Sequence, residues 1–360
     1  MNLKRLGSIA AIAVAGSILL SSCAANEQPG AGVPAGLSGT LNGSGASSQG
    51  SASDAWIAAF QIANPDVTIN YSPDGSGAGR KAFISGGVAY AGSDSALSDE
   101  ELAGTFAACA PTSKAIDLPV YISPIALIFK VEGVDKLNLD AATIAKIFKG
   151  DIKNWNDAAI AALNPDAKLP SGPITAVHRS DDSGTTKNFT DYLNKVAPEV
   201  WDAEAADKFP YSGGEAAQGT SGVVDAVTNG TNTIGYADAS KAGKLGVAAI
   251  KVGTEFVDYS AAAAAEVVAG SPLVEGRDAN DIAIKLDRKT TDPTHYPLVL
   301  VSYVIACQEY TDAATAQLVK AYLGYIASSA GQAEAAKSAG AAPLSTELAT
   351  KVAAAIATIK

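Results

Sequence analysis

The alternation of β-rich runs with helical runs restricts the possible folds of this chain more than any other feature of its sequence. The strand runs are Val67–Tyr71, Val88–Ala91, Ile125–Phe129, Ile174–Val177 and Tyr296–Ile305. The helical runs, which carry apolar residues at helical spacing, are Ala78–Ser85, Asp99–Phe106, Ala141–Lys149, Thr311–Ser328 and Ser345–Ile359. This order predicts an α/β protein with mostly parallel strands.

The N-terminal segment differs in character from the rest. Lys4 and Arg5 precede an apolar run over residues 9–20 that is too short to span a membrane comfortably, which predicts a signal peptide over residues 1–22. The Leu-Ser-Ser sequence before Cys23 resembles the lipobox of bacterial lipoproteins, in which cleavage precedes the cysteine and the new N-terminus is acylated. We therefore expect a lipoprotein anchored through lipid, including palmitate, on Cys23. The alternative is a plain secretory signal followed by an incidental cysteine.

Residues 23–37 offer little to bury and are predicted to form a flexible tether between the lipid and a soluble body. Removal of residues 1–22 leaves 24 cationic and 37 acidic residues, a formal charge of −13. That charge argues against nucleic acid as a partner. The body, of about 320 residues, is long enough for two domains.

Two cysteines remain in the body, Cys109 and Cys307. In an exported chain a disulfide between them would persist, so we predict the pair, with two separately buried thiols as the alternative. His178 and His295 are the only histidines in the sequence, too few for a His-rich zinc site. We therefore expect neither a metal nor another cofactor.

The stretch His178–Thr186 has the features of an anion-binding turn. It follows a strand run and leads into a helical pattern, which places Ser183 at the start of the helix. Serine is a favoured N-cap, and the first backbone N–H groups of a helix lack intrahelical partners. Gly184 permits close approach to the backbone, while Thr185 and Arg179 add donors. The alternative is an ordinary capped turn with a solvated arginine.

Two Gly- and Ser-rich turns lie upstream, Leu41–Ser48 and Asp74–Gly79, and each opens a helical pattern. Neither matches a phosphate-cleaving P-loop. Neither matches the Gly-x-Gly-x-x-Gly dinucleotide motif, because Ser48 and Arg80 stand where its last glycine would be. The sequence also lacks a Gly-x-Ser-x-Gly elbow, so a hydrolase of that class would have no nucleophile.

Together with several shorter motifs, these turns resemble the phosphate-binding proteins of bacterial phosphate ABC importers, the PstS family. The resemblance covers nearly the whole mature chain, and the combination is specific although each motif alone is not. The matching segments are Leu41–Ser48, Gly75–Gly79, Ala91–Glu100, Ile152–Asp157, Leu163–Pro165, His178–Thr185 and Ile234–Asp238.

The resemblance implies which residues contact phosphate. They are Ser47, Ser48, Ser76, Asp94, Arg179, Ser183, Gly184 and Thr185, with Asp181 in the position that pairs with the arginine. Ser47 and Ser48 depart from the family pattern, since relatives often carry Thr and an aromatic residue there; the backbone N–H at Ser48 survives this change, but an aromatic wall does not. His178 also departs from the pattern, and no role is assigned to it.

Asp94 indicates how such a site would select its anion. A carboxylate repels an anion unless it accepts a hydrogen bond from it. Inorganic phosphate keeps at least one proton near neutral pH, whereas sulfate has none. Asp94 would therefore accept from phosphate and repel sulfate. The alternative for Asp94 is an Asx turn after a strand.

The resemblance further implies a two-lobed periplasmic-binding-protein fold of type II, with mixed, mostly parallel sheets and two chain crossings at the hinge. The first lobe would comprise residues 38–120 and 297–360, and the second residues 121–296. The implied function is that of a high-affinity, non-enzymatic receptor on the extracytoplasmic face of the cell membrane. As a monomer it would close around inorganic phosphate and deliver it to the membrane subunits of an ABC importer.

Two other functions remain open from the sequence. A secreted phosphatase could hold a phosphoryl group in the same way, but it needs a nucleophile or a metal. His178 could in principle serve Ser183 as a base, although nothing in the sequence specifies that geometry. A receptor for sulfate, molybdate or arsenate would keep the fold; Asp94 argues against fully deprotonated anions but not against arsenate, which keeps a proton.

Overall fold

The computed structural model describes residues 36–360. The predicted signal peptide, Cys23 and residues 24–35 of the predicted tether lie outside the described residues. Leu37 is already buried, with 7% of its surface exposed. Within residues 36–360, every helix is either too short or too polar to cross a membrane.

The elements alternate along the chain largely as predicted. The strands are β1 (Gly39–Gly45), β2 (Val67–Ser72), β3 (Tyr90–Ser93), β4 (Ala115–Lys130), β5 (Asn138–Leu139), β6 (Thr175–Arg179), β7 (Glu215–Ala217), β8 (Thr233–Asp238), β9 (Gly246–Val247), β10 (Ala249–Val252), β11 (Glu255–Val257) and β12 (Val299–Cys307). The helices are α1 (Gly50–Ala63), α2 (Ser76–Ile84), α3 (Asp99–Leu102), α4 (Ala141–Lys149), α5 (Ala158–Leu163), α6 (Gly184–Val196), α7 (Gly219–Asn229), α8 (Ala261–Ala269), α9 (Ala313–Ala327), α10 (Ser329–Ala339) and α11 (Thr346–Ala357).

The helix predicted over Asp99–Phe106 and the turn predicted over Leu41–Ser48 differ from the structure. The helix predicted over Asp99–Phe106 ends at Leu102, and the chain then turns so that Phe106 packs against Phe83, with ring centroids 5.7 Å apart. The predicted turn over Leu41–Ser48 is shorter, because its first five residues belong to β1.

One large mixed sheet organises the protein. Its strand order is β2-β1-β3-β12-β4-β8-β6-β7, with β9 beside β4, and a small second sheet has the order β11-β10-β5. Strands at both ends of the large sheet are parallel, because β1 pairs with β2 and β3, and β6 pairs with β7 and β8. Strands in its centre are antiparallel, because β4 pairs with β12 and β8. The prediction of an α/β protein is confirmed, but the large sheet is mixed rather than mostly parallel, because β4 and β12 pair antiparallel with their neighbours.

Strand β4 connects two sets of elements. It pairs with β12 as far as Pro124 and with β8 from Ile125 onward. We call β1–β3, α1–α3, β12 and α9–α11 the terminal part, and β5–β11 with α4–α8 the middle part. Strand β4 and the chain that leads into β12 are the two connections between these parts.

The core of the terminal part joins its first helix to its last ones. Phe60 of α1 meets Tyr322 of α9 edge-on, with ring centroids 5.3 Å apart. The indole Nε1 of Trp56 donates to Gly331 O of α10 at 2.7 Å. The C-terminal helices therefore cover the N-terminal strands.

The core of the middle part supports the start of α6. Phe189 of α6 stacks on Tyr236 of β8 at 4.2 Å between ring centroids, and Phe148 of α4 packs against both rings. The Tyr236 hydroxyl lies 2.8 Å from Thr186 Oγ1 and accepts the Arg179 N–H at 3.3 Å. This aromatic cluster therefore holds the end of β6 beside the first turn of α6.

A disulfide joins Cys109 to Cys307, whose Cα atoms are 5.3 Å apart, a usual separation for such a bond. The predicted pairing is confirmed, and the alternative of two separate thiols is wrong. Cys109 precedes β4 and Cys307 is the last residue of β12, so the bond ties together the neighbouring ends of two central strands.

Candidate functional site

Four short segments meet where the terminal and middle parts face each other. One follows β1, one follows β3, one begins α2, and one begins α6 after β6. In that order they carry Ser47 and Ser48, Asp94, Ser76, and residues 183–185. Parallel strands present their carboxyl ends at a common edge of the sheet, which brings residues distant in the chain together.

Asp94 lies at the centre of these contacts and is 3% exposed. Its Oδ1 accepts a hydrogen bond from Ser48 Oγ at 2.6 Å, and its Oδ2 accepts one from Thr185 Oγ1 at 2.8 Å. Its backbone N–H donates to Ser76 Oγ at 3.1 Å. Because distant hydroxyl groups occupy its carboxylate, Asp94 does not form the local Asx turn that was the alternative prediction.

The first turn of α6 begins directly beside Asp94. Ser183 is its N-cap, and Ser183 Oγ accepts the Thr186 N–H at 3.2 Å, as the sequence predicted. The two preceding amides, of Gly184 and Thr185, have no acceptor within the helix. A Cβ on Gly184 would lie 2.6 Å from Ser76 Oγ and 2.7 Å from Asp94 Cβ. Only glycine therefore allows α6 to begin so close to Asp94.

Arg179 ends β6 and is 3% exposed. Its Nε donates to Asp181 Oδ1 at 2.7 Å, and its Nη2 donates to Asp181 Oδ2. Asp181 also accepts the Gly219 N–H, from the start of α7, at 2.9 Å. Burial opposes ionisation of Asp181, but Arg179 and the Gly219 N–H outweigh it and lower the pKa of this carboxyl. Asp181 uses two of the five guanidinium N–H groups and fixes the position of the others.

Ser47 is partly buried and contacts the middle part rather than Asp94. Its Oγ accepts the Thr220 N–H at 3.1 Å and lies 3.0 Å from Thr220 Oγ1. The predicted phosphate contacts thus lie around Asp94, at the end of β6 and at the start of α6, while Ser47 meets the start of α7.

The electrostatics of Asp94 reflect a balance of opposing effects. Burial raises the pKa of its carboxyl above the usual value, although hydrogen bonds from Ser302, Ser48 and Thr185 and the charge of Arg179 oppose this rise. N–H and O–H donors around one ionisable acceptor suit a tetrahedral oxyanion that carries a proton. Among residues 36–360, no group of three His, Cys, Asp or Glu side chains is placed to hold a metal ion.

Comparison with known proteins identifies the family. A sequence profile described as a PBP superfamily domain matches residues 32–330. Phosphate-binding protein PstS 3 of Mycobacterium tuberculosis is 36% identical over 339 residues, which cover 90% of each chain. PstS 2 of the same organism is 33% identical over 370 residues, which cover 99% of each chain. The chain belongs to the PstS family.

Solved structures share the fold. A structure of a high-affinity periplasmic phosphate-binding protein (PfluDING) with bound phosphate has a TM-score of 0.70 and 25% identity, and the alignment covers 88% of this chain and 93% of that one. The phosphate-binding protein of Stenotrophomonas maltophilia has a TM-score of 0.63 and 19% identity, with 88% of this chain and 94% of that one covered. The two-lobed periplasmic-binding-protein fold predicted for this PstS-family chain is confirmed.

Ser302 and Gln49, which support Asp94 in this PstS-family protein, were not predicted. Ser302 Oγ of β12 donates to Asp94 Oδ1 at 2.6 Å, and Gln49 Nε2 donates to Ser302 Oγ at 2.6 Å. The only signal for Ser302 in the sequence is a hydroxyl residue within an apolar strand. Gln49 follows the predicted Ser47-Ser48 pair and gives no signal of its own.

A second support reaches Asp94 through Asn188 of α6. Asn188 Nδ2 donates to Asp94 O at 2.7 Å and to Gly184 O at 2.9 Å. The buried Arg288 donates from Nη2 to Asn188 Oδ1 at 2.5 Å and from Nη1 to Val299 O at 2.6 Å. This chain of contacts links the first turn of α6 to the start of β12.

Arg80 of α2 is 6% exposed and supports the segment that carries Asp94. Its Nη1 lies 3.1 Å from both Ser93 Oγ and Ser95 Oγ, on either side of Asp94. Its Nη2 donates to Asp207 Oδ2 of the middle part at 2.5 Å. Arg80 therefore joins the two parts next to the site.

His178 does not act on Ser183. Its ring stacks on Phe209 at 4.1 Å between ring centroids, and its nitrogens lie 3.0 Å from Arg179 O and 3.1 Å from Gly213 O. Ser183 Oγ instead caps α6. The possibility of a His178–Ser183 base and nucleophile pair is wrong.

Proposed function

We propose that this protein is a receptor that binds inorganic phosphate between its terminal and middle parts and delivers it to an ABC importer. The buried carboxylate of Asp94, surrounded by donors at 2.6–2.8 Å, carries the proposal. The family membership supports it, as does the phosphate bound in the related PfluDING structure. The proposed contacts are Ser47, Ser48, Ser76, Asp94, Arg179, Ser183, Gly184 and Thr185, with Asp181 in support.

Local donors explain how an acidic protein can bind an anion. The first amides of α6, the hydroxyls of Ser48 and Thr185 and the guanidinium of Arg179 act at contact distance. Charges on the distant surface are screened beyond about 8–10 Å. Binding therefore does not depend on the sign of the net charge.

Asp94 would supply selectivity through the proton of the ligand. Phosphate near neutral pH can donate a hydrogen bond to Asp94, whereas sulfate would place a bare negative oxygen against the carboxylate. The cost of that repulsion is high because Asp94 is buried.

Contacts between the parts support closure around the ligand. The proposed lobes are residues 38–120 with 297–360, and residues 121–296. Three pairs of residues join the first lobe to the second: Asp94 with Thr185, Ser47 with Thr220, and Arg80 with Asp207. Phosphate would add donors and acceptors on both sides and so favour the closed state, which the membrane subunits of the importer could recognise.

The proposed location is the extracytoplasmic face of the cell membrane. Cys23 would carry the lipid anchor, and residues 23–37 would separate it from a monomeric binding body. The relatedness to a periplasmic phosphate-binding protein supports an extracytoplasmic location.

Calorimetric titration of the mature protein with phosphate, arsenate and sulfate tests the proposal. Phosphate should bind with a dissociation constant of about 1 µM or lower, and sulfate about hundredfold more weakly or worse. Arsenate, which keeps a proton, should resemble phosphate. Equal affinity for sulfate and phosphate, or no binding of phosphate, would contradict the proposed function.

A further inference from the structure

Ser302 differs from the other two hydroxyl groups that donate to Asp94. Ser48 and Thr185 lie in segments proposed to contact the ligand, so their hydroxyls can rotate toward a bound anion. Ser302 lies in the interior of β12, is 0% exposed, and has Gln49 as its second partner.

A third contact fixes the direction of the hydrogen bonds from Gln49 to Asp94. Gln49 Nε2 lies 3.1 Å from Tyr303 O and 2.6 Å from Ser302 Oγ. A backbone carbonyl only accepts, so the side-chain atom facing it must be the donor nitrogen. Ser302 therefore accepts from Gln49, and its own hydrogen is directed to Asp94 Oδ1, 2.6 Å away.

The two oxygens of Asp94 are consequently not equivalent. A carboxylate has about four acceptor positions, two on each oxygen. Oδ1 accepts from both Ser48 and Ser302, whereas among residues 36–360 Oδ2 accepts only from Thr185. Oδ2 is thus the oxygen with capacity for a proton that a ligand carries.

The backbone around Ser302 is irregular, which suits a residue whose hydroxyl must point at Asp94. The pairing of β12 with β4 shifts register between Ser302 and Tyr303, which pair with Tyr121 and Pro119. Proline has no N–H to donate to the neighbouring strand, and a bulge changes the direction of nearby side chains. The irregularity lies at the residue that donates to Asp94.

We infer that Ser302, held by Gln49, is a specificity-determining positioning residue that stays on Asp94 Oδ1 when the ligand draws Ser48 and Thr185 away. The inference rests on the proposed function. With this donor in place Asp94 remains an ionised acceptor, which repels a fully deprotonated anion. A protonated Asp94 could instead donate to sulfate, so discrimination depends on Ser302.

Three other ionisable groups face Asp94. Burial raises the pKa of Asp94, and the charge of Arg179 from β6 is among the effects that lower it. Burial, with a smaller effect of Asp94, raises the pKa values of Tyr71 in β2 and Asp238 in β8, the latter to about 6. These groups are identical in wild type and Ser302 variants, so a comparison of the two isolates the effect of Ser302.

The test is calorimetric titration of the mature protein with phosphate and with sulfate from about pH 5 to about pH 8. Ser302→Ala removes the donor, Ser302→Thr keeps a hydroxyl, and Ser53→Ala makes the same chemical change at a buried serine of α1 that does not contact Asp94. Ser302→Ala should lower the ratio of phosphate to sulfate affinity about tenfold at the acidic end. The pH at which the ratio falls should move upward by about one unit, because the lost donor stabilised the ionised form.

Ser302→Thr should restore the wild-type pH profile, and Ser53→Ala should reproduce it. The inference is overturned if the Ser302→Ala ratio follows the wild type at every pH, or if both anions lose affinity equally, since a merely structural hydroxyl leaves discrimination unchanged. A wild-type protein that binds no phosphate would overturn the proposed function itself, before any variant is compared.

Discussion

At the scale of single residues, the site consists of one acceptor, the Asp94 carboxylate, surrounded by hydrogen-bond donors. Ser48 and Ser302 donate to Asp94 Oδ1, and Thr185 donates to Oδ2. Each donor comes from a different element, so the position of the carboxylate is fixed from several sides. A change at Asp94 should therefore alter the choice of ligand more than the fold.

Asp94→Asn should weaken the preference for a protonated anion. The donors Ser48 and Ser302 would hold the amide oxygen at the Oδ1 position, which turns the amide nitrogen toward the ligand. Sulfate then gains a donor while phosphate loses the acceptor for its proton, so the ratio of their affinities should fall at least about tenfold. Titration with both anions measures this ratio.

Arg179→Ala provides the contrast to Asp94→Asn. Loss of the Arg179 guanidinium removes a charged donor, worth about 1.5–3 kcal/mol, that any anion would use. Both affinities should fall about ten- to hundredfold, with their ratio kept.

If Asp94→Asn leaves the ratio unchanged, selectivity resides elsewhere; if it abolishes binding of both anions, Asp94 is chiefly structural.

At the scale of elements, the start of α6 combines a cap, a glycine and two donors. The Ser183 cap directs the helix, and the absence of a Cβ on Gly184 lets it reach Asp94. The clash that any side chain at position 184 would cause lies between the middle part and the terminal part. The clash would therefore affect closure rather than the folding of α6.

Gly184→Ala should weaken phosphate binding about ten- to hundredfold, because an added Cβ would lie 2.7 Å from Asp94 Cβ and 3.0 Å from Asp94 N. The melting temperature without phosphate should change little, since opening relieves the clash. Gly324→Ala in α9, where a Cβ would meet nothing within 4 Å, is the matched control. Undiminished affinity in Gly184→Ala would mean that α6 can shift without cost.

The parts of the site that depend on local sequence were predictable, and those that depend on distant contacts were not. Ser183 was identified as an N-cap because capping involves only the next three residues. Ser302 lies 208 residues from Asp94, and only the insertion of β12 between β3 and β4 brings them together. A single sequence carries no signal for that pairing.

Strand β4, too, was only partly predictable from its local sequence. The apolar run Ile125–Phe129 predicted only its second half, because Pro119 and Pro124 argue against a central strand. The structure accommodates Pro119 at the register shift opposite Tyr303 and continues the strand from Ala115 to Lys130. Tertiary pairing here overrides the local preference.

At the scale of the whole molecule, closure is supported by contacts of unequal burial. Arg80 and Asp207 form a pair whose side chains are 7% and 17% exposed. Lys81 and Asp182 join the same helix to the middle part, but the lysine side chain is 72% exposed. Buried charged hydrogen bonds contribute more than exposed ones, so the first pair should dominate.

Asp207→Asn should lower phosphate affinity about three- to tenfold without changing the ratio of phosphate to sulfate affinity, because it weakens the closed state rather than the site. Small-angle scattering without phosphate should show a larger radius of gyration. Lys81→Met is the control and should change the affinity less than about twofold. An equal effect of both variants would remove any special role for Arg80.

The disulfide should stabilise the folded protein as a whole. It closes a loop with a sequence separation of 198, and loss of a native disulfide commonly costs about 2–5 kcal/mol. Changing both Cys109 and Cys307 to serine should lower the free energy of unfolding in urea by about that amount. Reductant should then have no further effect on the variant. Equal stability of the oxidised wild type and the variant would contradict this.

The position of β12 between β3 and β4 also determines when the protein can fold. A ribosome makes β1–β4 long before β12, and β3 and β4 have no direct pairing with each other. Until residues 299–307 have been synthesised, the strands of the terminal part cannot be joined to β4, and α9–α11 cannot cover them. A nascent chain of this topology therefore lacks its complete sheet until synthesis is nearly finished. Such an incompletely folded chain can still pass through a narrow export channel.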